Sequence, residues 1–211
     1  MRIQLADLAT ALALIASTSL AAPANADDDS GWYIGAGLGE VDYGERGQIR
    51  TNEEILLATQ HRDSGDPLSS SVSLWVGYRI NRYLSIETGY IDNTTREFTL
   101  TNDADENVGT FSFHTEGATL AVVGGLPFGK WEPYARLGVF FAATEGSIRG
   151  PSGTLQWANR ERSAELLTSL GLAYNFTAHW QAKLEGTYVP DAGGPVEADT
   201  EVVTVGFTYR F

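Results

Sequence analysis

From residue 32 to residue 211, apolar side chains recur at every second position over nearly the whole chain. A period of two belongs to extended strands, whose successive side chains point to opposite faces; an amphipathic helix would repeat about every 3.6 residues. The last segment shows it most plainly. Val203, Val205, Phe207, Tyr209 and Phe211 share one face, and Thr204, Gly206, Thr208 and Arg210 share the other. Trp180, Ala182, Leu184, Gly186 and Tyr188 alternate likewise with Gln181, Lys183, Glu185 and Thr187. Val72, Leu74, Val76, Tyr78 and Ile80 alternate with Ser71, Ser73, Trp75, Gly77 and Arg79, while Leu84, Ile86, Thr88 and Tyr90 oppose Tyr83, Ser85, Glu87 and Gly89.

The pattern predicts eight strands, at 32–43, 71–80, 83–99, 108–126, 131–148, 156–175, 179–189 and 201–211. Their connections alternate in length. Asn81-Arg82, Pro127 to Lys130 and Asn175 to Ala178 are short and hold good turn residues, whereas 44–70, 100–107, 149–155 and 190–200 are longer and polar. Short turns at one rim and long loops at the other is the layout of an outer-membrane barrel, and an even strand number returns both chain ends to the short-turn side.

Alternation alone does not say which face is outside. The polar parity is rich in glycine (Gly35, Gly37, Gly39, Gly77, Gly89, Gly138, Gly171 and Gly206), which a narrow barrel interior needs and a solvated strand face does not. Aromatics gather at the strand ends: Trp32, Tyr78, Trp131, Trp180 and Tyr209 toward the short turns, and Tyr43, Tyr90, Phe141 and Tyr188 toward the loops. Two such belts suit the two interfaces of a bilayer. The apolar parity therefore faces lipid, around a polar, glycine-lined centre. Unpaired backbone groups in hydrocarbon cost several kcal/mol each, so the first and last strands must pair. The expected fold is all-β, a closed up-and-down antiparallel transmembrane barrel of eight strands.

Residues 1–26 read as a signal peptide, leaving 27–211 as one barrel domain. Arg2 supplies a positive start, Leu8 to Leu20 an apolar run, and Ala24-Asn25-Ala26 a cleavage site. The net charge of −13 excludes nucleic acid as a partner, because phosphate binding needs clustered Lys and Arg. The absence of cysteine removes disulfides and thiolate metal sites.

Several strings in order resemble the OmpA-type outer-membrane barrel: GWYIGAGLGEVDY (31–43), WVGYRINRYLSIETGYIDN (75–93), PYARLGVFF (133–141), LGLAYNFTAHWQAKLEGTY (170–188) and VTVGFTYRF (203–211). Phe211, with Tyr209 and Phe207 before it, resembles the signal read by the barrel assembly machinery. The resemblance implies a cell outer membrane location, contact with outer-membrane lipid and lipopolysaccharide, and an internal pair between Glu87 and Arg210. It also makes Glu185 a second internal glutamate, expected to pair with a nearby base, and places Arg136 in the matching fifth-strand segment. The lysine that such barrels carry on the fourth strand falls at Val123 here, so the gating exchange built on that lysine lacks its basic partner.

The polar parity carries Arg79, Glu87, Arg136, Lys183, Glu185 and Arg210 into the expected lumen. Buried charges must be paired, which makes these six a salt-bridge network that plugs the interior or lines a narrow ion path. The leading expectation is a structural barrel that supports membrane integrity. The runner-up is a surface ligand-binder or adhesin acting through loop 44–70, where Glu53 to Ala58 reads as a short helix or an exposed apolar spot. Catalysis is not expected. Lipid A deacylases carry His-x-Ser, whereas the triplets here are His114-Thr115-Glu116 and His61-Arg62-Asp63, and His179 lies at the short-turn rim beside Trp180. No cofactor and no metal is expected. Asp103, Asp105, Glu106, Asp191, Glu197, Asp199 and Glu201 read as a solvated acidic face without EF-hand spacing.

Overall fold

The computed structural model describes residues 30–43, 48–49, 60–62, 69–101, 107–190, 196–197 and 199–211. Residues 1–26 and the segment 53–58 lie outside the described residues. Eight long strands form the barrel: β1 (Gly31–Tyr43), β2 (Ser69–Asn81), β3 (Leu84–Thr101), β4 (Asn107–Gly125), β5 (Trp131–Arg149), β6 (Leu155–Asn175), β7 (Trp180–Val189) and β8 (Thr200–Arg210). Each pairs antiparallel with its neighbours in sequence, and β1 pairs with β8 from Tyr33↔Arg210 to Tyr43↔Thr200, so the sheet closes.

The short turns carry their own side-chain locks. Asn81 Oδ1 accepts hydrogen bonds from the amides of Tyr83 (2.8 Å) and Leu84 (3.0 Å). Thr177 Oγ1 accepts from the amides of His179 (3.2 Å) and Trp180 (3.0 Å). Gly129 takes a φ of 62° in the turn before β5, where a Cβ would be strained. At the opposite rim the segment 44–70 is more than a loop, since Gln60–Arg62 adds to the end of β3 with Gln60 opposite Thr101. Gln48–Ile49 and Val196–Glu197 form a second small pairing.

Burial decides the facing of the strands. Phe207 is 54% exposed and Leu170 73%, whereas Thr208 is 2% exposed and Thr204 8%. The apolar parity is the outside of the barrel. Around the short-turn rim the outward aromatics touch edge to face, Trp32 with Tyr78 at 5.2 Å, Trp131 with Tyr174 at 4.7 Å and Trp180 with Tyr209 at 5.1 Å. Inside, two glycines make room for rings laid flat on the wall: a Cβ at Gly35 would fall within the indole of Trp75, and one at Gly77 within the ring of Tyr33.

The strands differ in height. β1, β2, β7 and β8 have 13, 13, 10 and 11 residues, near the ~10 that cross the hydrocarbon layer, but β3 to β6 have 18, 19, 19 and 21. On β4 and β5 the upper halves reverse the polarity of the lower halves. On β4 the outward positions run from Val122 and Leu120 through Ala118 to Glu116, His114 and Ser112, while Phe113 and Phe111 turn inward and are buried. On β5 the inward positions run from Glu132, Tyr134 and Arg136 to Phe140, Ala142 and Ile148. Phe140, Ala142, Leu167 and Val189 form an apolar cluster with Ile91 packed against it. The charged centre is therefore confined to the membrane level; above it β4 and β5 turn mainly aromatic and aliphatic side chains inward, with Thr115 and Thr144 hydrogen-bonded among them at 3.2 Å, because the outward face there meets water.

Candidate functional site in the barrel lumen

At the membrane level the inward face carries two linked charge clusters. In the middle, Arg136 spans two carboxylates from neighbouring walls. Its Nε lies 3.2 Å from Glu87 Oε1 on β3 and its Nη1 3.2 Å from Glu185 Oε1 on β7. Nη2 donates to Thr119 Oγ1 at 2.8 Å. Tyr134 donates its hydroxyl to Glu185 Oε2 at 2.8 Å, and Tyr33 donates to Glu87 Oε2 at 3.3 Å. Lys183 sits 3.6 Å from Glu87 Oε2 with its ammonium 3.7 Å from the centre of the Trp75 ring. Trp75 in turn donates Nε1–H to Thr208 Oγ1 at 3.2 Å. Glu87, Arg136, Lys183 and Glu185 are all buried, a state charges reach only when paired and hydrogen-bonded in this way.

Nearer the short-turn rim, Glu132 is shared. Arg79 Nη2 donates to its Oε1 at 2.5 Å and Arg210 Nη2 to its Oε2 at 3.1 Å, with Gln181 Nε2 at 3.3 Å. A cavity of about 40 Å³ lined by Tyr33, Glu87, Glu132, Lys183 and Arg210 lies on this side of the middle cluster. One of about 20 Å³ lined by Ser73, Trp75, Thr119, Arg136 and Thr204 is the other. Each has room for only a few waters (about 10–15 Å³ apiece).

All six lumen residues expected from the sequence point inward and Glu185 pairs with a base, Arg136, but the expected Glu87–Arg210 pair is not made. Glu87 pairs with Arg136 and Lys183, and Arg210 pairs with Glu132. The reason is steric. Arg210, Tyr33, Gly77 and Glu87 stand opposite one another in a single row across β8, β1, β2 and β3, and the Tyr33 ring fills the space over Gly77 between the two charges. Glu132 was missed, although it shares strand and parity with Arg136, four residues away. Val123 brings no charge to the lower cavity; the ammonium comes instead from Lys183 on β7.

The histidines fall outside this network. His179 Nδ1 lies 3.0 Å from the Arg210 carbonyl at the short-turn rim, and its ring stacks on Tyr209. His61 lies in the short strand beside the end of β3. His114 sits on the outer face with Asp92 and Glu116.

The sequence pattern of the outer membrane protein β-barrel domain matches residues 10–211. The chain belongs to that family. It is a protein of the Gram-negative outer membrane. It is 30% identical over 211 residues to Outer membrane protein A of Yersinia pseudotuberculosis serotype I (strain IP32953), a match covering 97% of this chain and 54% of the relative. The chain thus spans about half the length of the curated relatives it matches. Among solved structures, OprG of Pseudomonas aeruginosa aligns with a TM-score of 0.55 at 16% identity, over 87% of this chain and 97% of that one. Ail of Yersinia pestis, solved with the heparin analogue sucrose octasulfate, aligns with a TM-score of 0.54 at 14% identity, over 87% and 99%. At these identities the likeness to the two solved structures shows the fold alone.

Proposed function

We propose that the protein is a structural, non-catalytic barrel that supports outer-membrane integrity, with its lumen closed at the membrane level by the Glu87–Arg136–Glu185 bridge and Lys183. The observation that carries this reading is Arg136, 7% exposed and held between carboxylates of two different strands. A side chain fixed at both ends across a narrow interior blocks ions unless the pairing breaks. Glu87→Ala removes one end, and the expected result is higher single-channel conductance in planar bilayers with a lower unfolding temperature of the heat-modifiable band. Unchanged conductance and stability would make the network irrelevant to both. In this reading residues 1–26 direct export, and Phe207, Tyr209 and Phe211 present the strand read by the barrel assembly machinery.

A second reading is a surface ligand-binder. It draws on the long polar segment 44–70 and on the sulfated sugar with which Ail was solved. Deleting 44–70 should abolish retention of whole cells on immobilised heparin while leaving detergent resistance intact. Retention unchanged by the deletion ends the case for that loop.

A further inference from the structure

Where the polarity of the wall reverses, one group of outward side chains is not explained by either proposed function. Asp92 on β3 and Glu116 on β4 stand directly opposite each other across the ladder. Both lie just above the lipid-facing row, beyond Tyr90 on one strand and Ala118 on the other. Like charges placed opposite destabilise a sheet.

His114 completes the group. Its Nε2 lies 3.6 Å from Asp92 Oδ1 and 3.9 Å from Glu116 Oε2, and the three ligand atoms lie within 4.8 Å of one another. Nδ1 is buried with no hydrogen-bond partner among the described residues, and Nε2 is the ring nitrogen that meets the two carboxylates. The charges do not balance. Among the described side chains, Arg160, 3.5 Å from Glu116 and 2.8 Å from Glu145, gives one positive charge against the three carboxylates Asp92, Glu116 and Glu145.

We propose that Asp92, His114 and Glu116 form a binding site for a divalent transition-metal ion of the zinc class, on the outer wall of the barrel at the level of the lipid headgroups. One imidazole nitrogen and two carboxylate oxygens are a donor set that suits Zn²⁺; Ca²⁺ and Mg²⁺ prefer six or more oxygens. At bond lengths of about 2.0–2.2 Å, tetrahedral ligand atoms lie about 3.4 Å apart. The two separations from His114, 3.6 and 3.9 Å, lie within a few tenths of an ångström of that value, and the two carboxylate oxygens, within 4.8 Å of each other, close on the ion by rotation of half-buried side chains. Outer partners hold Glu116 in place: the Tyr90 hydroxyl donates to Oε2 at 2.5 Å, and Arg160 approaches Oε1. Such support fixes the orientation of a ligating carboxylate. Three protein ligands leave the fourth position open toward the headgroup layer.

The experiment is calorimetric titration of ZnCl₂ into the untagged, detergent-folded chain, with heat-modifiable migration as the check on folding. One ion per chain is expected, with affinity weakened about tenfold or more in His114→Ala and in Asp92→Asn. Mg²⁺ at the same concentration should not compete. Failure of the wild-type chain to bind Zn²⁺ would overturn the proposal. So would equal binding by His114→Ala, or full displacement by Mg²⁺, since either assigns the ion to a diffuse acidic surface.

Discussion

The lower and upper halves of β4 and β5 are built from the same alternation with the sign reversed. At the membrane level Leu120, Val122, Leu137 and Val139 face out, while Thr119, Tyr134 and Arg136 face in. Higher on the same strands Ser112, His114, Glu145 and Ser147 face out, and Phe111, Phe113, Ala142 and Ile148 face in. The backbone is continuous through the change. What differs is the medium outside, lipid below and water above, and each half puts its apolar face toward whatever excludes water. The level of the reversal also marks where charged outward groups begin, which is where Asp92, His114 and Glu116 meet.

The lower interior should be the more fragile half. Arg136→Ala leaves Glu87 and Glu185 buried without their guanidinium, a loss of about 3–5 kcal/mol. Urea unfolding followed by gel mobility would measure it, and a loss below about 1 kcal/mol would show that Lys183 alone can hold both carboxylates. The outer face tests the position of the reversal. Leu120→Arg places a charge in lipid and should cost about 2–4 kcal/mol. Ser112→Arg, on the same side of the same strand but above the change, should cost no more than about 0.5 kcal/mol in the same assay. Equal costs at the two positions would mean that the lipid layer extends higher than Glu116.

Much of this fold was legible because its signal is local. Residues i and i+2 lie on the same side of any strand, so Val203 to Phe211 and Trp180 to Tyr188 declared their faces without reference to the rest of the chain. The inward direction of Arg79, Glu87, Arg136, Lys183, Glu185 and Arg210 followed from the same rule. Their partners did not. Whether Arg210 reaches Glu87 depends on a Tyr33 ring two strands away, and whether Lys183 replaces the base missing at Val123 depends on how far β7 is staggered against β3. The mainly apolar upper interior was hidden for a related reason: Phe140 and Phe141 are adjacent apolar residues that period two cannot assign to different media.

The sequence by itself thus determined the strands, the closure of the sheet and the parity that faces lipid, because covalent geometry and the cost of unpaired backbone in hydrocarbon act on each segment alone. Only the tertiary structure decided which charges meet, how high the lipid-facing band runs and that Asp92 comes to stand beside His114. Those depend on the register between strands and on the volume of the rings that fill the interior, quantities no single segment contains.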